Sequence, residues 1–575
     1  MGDWYFTKYN TKISTTRKEI IHATLYKAFS LTDYNNKLCE QHQFRQNLIL
    51  DDKTLTEDEK SETIKRLDEG YDYLKILFNE GTKRLCENCE KECLATFYCE
   101  NCMRNYLKAD FQNWTSGNDN IDALIRKCQE ETFFPILVVE WIPYDHLQNV
   151  TYLTKGGCSE IYVAEWIEGR YIKWDVKENK LIRSGKHKVI LKKLENIESA
   201  NRSWFEEAAL HLNICIKWVE VALCYGITRN PLNDAHFLVM SLMDMDLRKY
   251  LQQNFNKLTW KGKILITIKI IDALNSIHNE NVAHRDLHSG NILYSQYNNY
   301  WYISDLGFCG PIDKPLGSIY GNLPYMAPEV IIGKGFTLAS DIYSVSMLMW
   351  EISSGKPPFY FNRYKDYDLA MNIVNGMRPK ILSDTPLEYK NLMIQCWDAD
   401  PVKRPNVSRL LRKIREISTL FYQNEGIEKQ INNSKNINNN QLNTNSSVSS
   451  SSINSFSENL KSKIYNFEIL SEPRNATEEE LEAYRSVQFD LSIPEIIASK
   501  QTSEQKNSLK LIEDKPKSKK LYNNKVNYDN NEAEFQYMQR NYIRDDDDND
   551  YETYNSSNLH SKEQDELEIP EILMN

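Results

Sequence analysis

The sequence predicts an α+β chain with a helical, cysteine-rich N-terminal region, a larger central region and a polar C-terminal tail. Three observations predict it. An apolar stripe of helical period runs from Ile64 to Phe78, and two Cys-x-x-Cys pairs fall within Cys86–Cys102. A series of short polar motifs in fixed order then occupies residues 147–418, before the composition turns to Asn, Ser and Asp.

Residues 1–53 are mixed in character and carry no motif. Thr56-Glu57-Asp58-Glu59 reads as a capping box, in which the Thr hydroxyl and the Glu carboxylate take free amides of a new helix. Ile64, Leu67, Tyr71, Leu74 and Phe78 follow at alternating spacings of three and four, which predicts an amphipathic helix ending near Gly81. Gly70 is a weak point inside it. The stripe spans only about two heptads, so packing against a neighbouring domain explains it better than a coiled coil.

Five of the twelve cysteines lie between Cys86 and Cys102. Two Cys spaced two residues apart deliver both thiolates to one ion from a tight turn, and a second such pair completes a four-sulfur tetrahedral site. Cys86, Cys89, Cys99 and Cys102 are therefore read as ligands of a structural Zn²⁺, within a helix-plus-knuckle module over residues 54–130. Cys93 competes for a place in that quartet. No open coordination position is implied, so the module is expected to be structural.

Composition narrows the class. The chain of 575 residues is 41% hydrophobic, with 34 Tyr and 20 Phe, which supplies a sizeable core and excludes a wholly disordered protein. The net charge is −11, but residues 541–575 hold 11 acids against two bases and account for most of it. The rest is near neutral, which gives no reason to expect a nucleic-acid or membrane partner. The first residues lack the layout of a secretory signal, and Phe6 breaks the myristoylation pattern. The best apolar run, Phe133 to Ile142, is short and contains Glu140. The expectation is a soluble, cytoplasmic chain with nuclear entry left open.

The central motifs carry the chemistry. His284-Arg285-Asp286-Leu287-His288-Ser289-Gly290-Asn291 is followed by Asp305-Leu306-Gly307 and then by Ala327-Pro328-Glu329. Each triplet alone is weak; their joint order and spacing are highly specific. Together they resemble the catalytic loop, the magnesium-binding triplet and the activation-segment terminus of eukaryotic protein kinases. The phrase Cys396-Trp397-x-x-Asp400-Pro401-x-x-Arg404-Pro405, with Tyr325-Met326 before the Ala-Pro-Glu, is similar to the tyrosine-kinase-like group. The resemblance covers about half the chain, residues 147–418, and reaches neither the cysteine module nor the tail.

That resemblance implies a bilobal fold: a five-stranded antiparallel small lobe with one helix (147–243) and a mainly helical large lobe (244–418). It implies ATP-dependent phosphorylation of a protein hydroxyl, a reaction that needs alignment and charge neutralisation more than covalent help. Asp286 would orient the attacking hydroxyl, while Asn291 and Asp305 would hold Mg²⁺ through oxygen ligands. Lys192, in Val189-Ile190-Leu191-Lys192, would reach the α- and β-phosphates, paired with Glu207 of the next helix; Glu206 is the competitor one position away. The nucleotide would be covered by Thr154, Gly156, Gly157, Ser159 and Ile161, with Thr154 and Ser159 standing where the first and third glycines are usual. Ile190, the gatekeeper Met240, the hinge residues Leu242 and Met243, and Leu293 would surround the adenine. Asp341 would brace the catalytic loop, and Arg404 would pair with Glu329.

Arg285 would receive a phosphate on the activation segment, with Ser318 and Tyr320 as candidates. Serine or threonine is favoured as acceptor, although His288 and Asn322 stand where such kinases usually carry Lys and Thr. A long insertion, Trp166 to His187, reads as a hairpin between the second and third strands. Residues 425–575 read as a disordered regulatory or docking tail, in which Thr477-x-x-Glu480 could start one short helix. Two rival readings are a pseudokinase scaffold, suggested by the altered glycine loop, and a zinc-dependent nucleic-acid or partner-binding protein. The basic residues near the cysteines are too interspersed with Glu to make a strong patch for the latter.

Overall fold

Three helices open the chain: α1 (Thr15–Ser30), α2 (Leu38–Leu50) and α3 (Glu57–Leu77). The computed structural model describes residues 15–155, 159–195, 203–296, 298–311, 319–360, 365–432, 462–467 and 471–490, all within Met1–Pro494. Thr56 caps α3 as its sequence requires: the hydroxyl accepts from the Glu59 amide, and the Glu59 carboxylate accepts from the Thr56 amide at 2.8 Å. Leu67 and Leu74 are buried. Phe78 departs from the expected stripe; it lies just past the helix and is 52% exposed.

The cysteine module follows, as a short hairpin of β1 (Arg84–Leu85) and β2 (Glu92–Cys93), then α4 (Glu100–Ala109) and α5 (Asp119–Glu131). Helix α3 grips it. Asp72 accepts from the Thr96 amide at 2.6 Å, and the Lys75 ammonium donates to the Leu94 carbonyl at 2.8 Å.

The small lobe is one sheet built from β3 (Glu140–Trp141), β4 (Leu147–Lys155), β5 (Glu160–Trp166), β8 (His187–Lys193), β9 (Cys224–Arg229) and β10 (His236–Ser241). The order is β3-β9-β10-β8-β5-β4. Five strands pair antiparallel, and β3, from before residue 147, adds a sixth in parallel to β9. The insertion forms a separate hairpin, β6 (Tyr171–Asp175) with β7 (Lys180–Arg183). Its inner residues Trp174 and Leu181 pack with Cys86, Tyr98 and Met103 of the cysteine module. Helix α6 (Trp204–Cys215) covers the sheet, and Ala208 and Leu212 join a core shared with Tyr73, Ile121, Ile125 and Phe133.

The large lobe begins with β11 (Met245–Asp246), α7 (Leu247–Asn254) and α8 (Trp260–Asn279). Short strands β12 (Val282–Ala283), β13 (Ile292–Ser295), β14 (Tyr300–Ile303), β15 (Gly310–Pro311) and β16 (Ile319–Gly321) carry the catalytic-loop and activation-segment motifs. Helices α9 (Pro328–Ile331), α10 (Leu338–Ser354), α11 (Asp366–Val374), α12 (Leu387–Cys396) and α13 (Val407–Asn432) complete it around a core containing Ile271, Tyr343, Leu348 and Tyr389.

Helix α13 runs beyond residue 425, and two later segments are ordered: β17 (Lys463–Tyr465) and α14 (Glu478–Asp490). Tyr465 is buried in the large-lobe core, with Phe467 and Tyr484 packed beside it, so these few apolar residues offset the ordering entropy of a polar stretch. No helix among the described residues is long and apolar enough to cross a membrane.

Candidate active site

The site forms where the two lobes meet. Strand β8 places Lys192 opposite Ile161 on one side and Leu238 on the other, a register that turns its stem into the interlobe cleft. Its ammonium donates to Glu207 Oε1 at 2.7 Å and to Asp305 Oδ1 at 2.6 Å. Glu206 faces elsewhere: its carboxylate accepts from the Ser203 amide and caps α6. Burial disfavours a charged Lys192, but Asp305 and Glu207 outweigh it and raise the ammonium above its ordinary range. Burial likewise opposes the charge on Asp305, yet Lys192 draws that carboxyl down to about 2. Its side chain remains 41% exposed to the cleft.

Two non-glycine residues adopt left-handed backbone here, Arg285 at φ 70° and Asp305 at φ 60°. Such strain persists only where surrounding bonds over-determine it. Around Arg285, Asp341 provides those bonds, accepting from the amides of His284 at 2.8 Å and Arg285 at 3.0 Å and from His278 Nε2 at 2.9 Å. Burial pushes the Asp341 carboxyl up, but His278 and His284 together bring it below its ordinary range. His284 is buried and its imidazole is held below the ordinary range. Nε2 faces the Ser304 carbonyl at 3.1 Å, so it carries the proton, and Nδ1 accepts from the Asp286 amide at 3.3 Å.

Asp286 and Asn291 are joined within the loop. The Asn291 amide nitrogen donates to the Asp286 carbonyl at 2.8 Å, which leaves its amide oxygen for another partner. An amide oxygen and a carboxylate are the donors a hard divalent cation takes, so Asn291 and Asp305 fit Mg²⁺ chemically. Asp286 also receives a hydroxyl that sequence reasoning missed. Ser462, just before β17, donates to Asp286 Oδ1 at 2.8 Å. The available signal was the apolar cluster Ile464, Tyr465 and Phe467 inside an otherwise polar tail.

The other sequence candidates are distributed as follows. Thr154 pairs with Ile161 between β4 and β5, and Ser159 precedes β5. Ile190 lies opposite Met240 across β8 and β10; Met240 is buried, Leu242 is exposed and Met243 is half-buried. Leu293 is half-buried opposite Tyr302. Gly156, Gly157 and Ser318 lie outside the described residues. Tyr320 is only 3% exposed, enclosed in β16. Arg404 forms a two-pronged pair with Glu329, at 2.6 and 2.8 Å, and both side chains are buried.

Away from the cleft, Cys86, Cys89, Cys99 and Cys102 gather with all four sulfurs within 4.8 Å of one another. The pairs Cys86–Cys102 and Cys89–Cys99 are each 3.6 Å apart. A tetrahedron with Zn–S bonds of about 2.3 Å has edges of about 3.8 Å, so the spacing suits zinc. Burial opposes a thiolate at Cys86, but the amides of Cys89 and Asn88 bring that thiol down to about 7. Cys93 forms a second group with Cys99 and Glu100, and burial pushes its thiol up to about 12.

Residues 147–414 match the family described as protein tyrosine and serine/threonine kinase. A mouse protein named dual serine/threonine and tyrosine protein kinase is 34% identical over 186 residues, 32% of this chain and 20% of the relative. The human protein of that name is 36% identical over 174 residues, 30% of this chain and 18% of the relative. The Danio rerio protein is 34% identical over 174 residues, 30% and 19% of the two chains. The match thus spans about a fifth of the length of these curated relatives.

Proposed function

We propose, from the protein kinase domain that residues 147–414 constitute, that the chain transfers the γ-phosphoryl group of ATP to a hydroxyl of a protein substrate. One observation carries this reading: the Lys192 ammonium lies between Glu207 and Asp305, and Asn291, bonded to Asp286, accepts through its backbone carbonyl from the amide of Ser304 next to Asp305. In this reading Glu207 holds Lys192 against the α- and β-phosphates. Asp286 accepts the hydrogen bond of the attacking hydroxyl and points its lone pair at phosphorus. Asn291 and Asp305 are the residues that would hold magnesium, which when bound neutralises charge on the phosphate oxygens. Thr154, Gly156, Gly157, Ser159 and Ile161 would cover the phosphates. Ile190, Met240, Leu242, Met243 and Leu293 would enclose the adenine.

Serine and threonine are the favoured acceptors, in keeping with relatives whose names include both serine/threonine and tyrosine. The cysteine quartet is proposed to hold structural zinc, and the domain phrases at residues 325–329 and 396–405 favour the tyrosine-kinase-like group. A cytoplasmic setting and docking of further partners on the tail belong to the same reading.

The test is transfer of radiolabelled phosphate from ATP to casein by the full chain and by Asp286→Ala. Loss of a positioned general base lowers the rate about 100-fold or more. Equal labelling by both would support the rival reading, a nucleotide-binding scaffold, which the substituted positions Thr154 and Ser159 favour.

A further inference from the structure

Tail residues 462–465 lie across the mouth of the proposed active site. Strand β17 runs antiparallel to β16 of the activation segment, with Gly321 opposite Lys463, Tyr320 opposite Ile464 and Ile319 opposite Tyr465. This pairing fixes the chain direction and register, and the residue just before it, Ser462, meets Asp286. Gly321 takes φ +142°, a conformation that favours glycine, and its Cα lies beside Asp286 Oδ1, the oxygen that accepts the Ser462 hydroxyl.

The polar contacts give the hydroxyl an orientation. His288 Nδ1 accepts from the Gly290 amide at 3.0 Å, so the neutral imidazole carries its proton on Nε2. Nε2 lies 3.1 Å from Ser462 Oγ. The hydroxyl therefore donates to Asp286 and accepts from His288, which leaves one lone pair of Oγ for a further bond. Two anchors, stiffened by one stack within the segment, hold it there. Lys463 pairs with Asp366 at 2.5 Å, Tyr465 is buried against the large lobe, and Tyr465 stacks on Phe467 with ring centres 5.2 Å apart.

From this geometry we infer that Ser462 is a substrate of the chain's own active site, phosphorylated within the same molecule. The inference rests on the kinase reading above and names an acceptor for it: a serine followed by a short strand-forming segment. In the step, Ser462 Oγ forms a bond to the γ-phosphorus of ATP while the bond from that phosphorus to the β,γ-bridging oxygen breaks. ADP leaves with the electron pair, and the hydroxyl proton passes to Asp286 and then to solvent. The product phosphate sits against the Asp286 carboxylate, and like charges at that distance drive the strand out. Until then the segment holds the place an external hydroxyl must take. Tethering makes the reaction unimolecular, with an effective concentration no free peptide matches.

The experiment incubates the full chain with ATP and maps phosphosites by mass spectrometry, beside Ser462→Ala, Asp286→Ala and a casein control. The expected result is about one phosphate per chain at Ser462, lost in Asp286→Ala, with a fractional rate unchanged over about a hundredfold dilution. Asp286→Ala chains mixed with wild type should stay unmodified at Ser462. In Ser462→Ala, casein is still labelled and the peptide spanning residue 462 carries nothing. Labelling of casein with Ser462 untouched would overturn the inference and leave the kinase reading standing. A rate proportional to concentration would overturn transfer within one molecule. Failure to label casein or the chain at all would remove both.

Discussion

At the residue scale, a single ammonium organises the cleft. Lys192 has two carboxylate partners, and the two are not equivalent: Glu207 is buried beside it, whereas Asp305 also opens to the cleft. Glu207→Gln keeps the shape but removes one of the two charges that fix the Lys192 ammonium. The expected result is a roughly tenfold or larger fall in kcat/KM, since one oriented charge is worth more than about 1.4 kcal/mol in such a site. Glu206→Gln touches only the α6 cap and should cost about 0.5–1 kcal/mol of stability with activity near wild type. Steady-state kinetics and urea melts separate the two. The same pair sets a pH window. The Asp305 carboxyl is depressed, so its stabilising effect is present above its unfolded value of about 3.9 and fades as pH falls toward about 2. Lys192 is raised, so its share is complete below about 10.4 and is lost only above that. The melting-temperature gap between wild type and Asp305→Asn should therefore be flat from about pH 5 to 9 and shrink below about pH 4. A gap that widens on acidification would contradict this pairing.

At the element scale, the cysteine module and the insertion hairpin form one unit. Cys99 is the N-cap of α4 and Cys102 lies in its first turn, so one helix start delivers two of the four sulfurs. Trp174 and Leu181 of the insertion pack on this cluster, while Tyr106 of α4 meets Trp174 edge-on at 5.8 Å. Metal analysis of the purified chain should find about one zinc per molecule. Cys99→Ser should lose it, and amide exchange should then rise both in residues 86–102 and in the hairpin at 171–183. Cys93→Ser should keep the zinc, because burial pushes that thiol up to about 12 and its sulfur stands outside the quartet. This scale also marks how far the sequence could be read. The capping box at Thr56, the insertion as a hairpin and the meeting of Lys192 with Glu207 and Asp305 were legible, because each rests on local spacing or on motifs in strict order. The partner of the hairpin was not, since nothing local in Trp174 or Leu181 names the surface they cover. Strand β3 was equally hidden: two residues, Glu140 and Trp141, have no period, and only the neighbouring β9 makes them a strand.

At the scale of the whole molecule, the regions outside the kinase domain are bound to it at both ends. Tyr73 of α3 donates to the Lys217 carbonyl at 2.5 Å, and Thr419 of α13 donates to the Ser30 carbonyl at 2.7 Å, with Arg415 over the Tyr34 ring at 4.0 Å. The tail is docked elsewhere on the large lobe. The Arg474 amide donates to the Val374 carbonyl at 3.1 Å, and Asn475 bridges the Ala399 amide and Asp398 at 2.9 and 3.1 Å. This contact has one narrow point. Gly376 takes φ +97°, and a Cβ there would come within 2.1 Å of the Ala476 nitrogen, so any side chain must displace the tail backbone. Gly376→Val should therefore release residues 471–484 and weaken the anchoring of β17 upstream of them. Amide exchange should rise in 463–467 and 474–481 while α10 and α12 stay protected as in wild type. Because Ser462 then spends less time on Asp286, casein phosphorylation should rise about three- to tenfold, the gain expected when a tethered competitor loses its second anchor. Faster exchange in the tail with no gain in casein turnover would mean that the segment docks without obstructing the cleft.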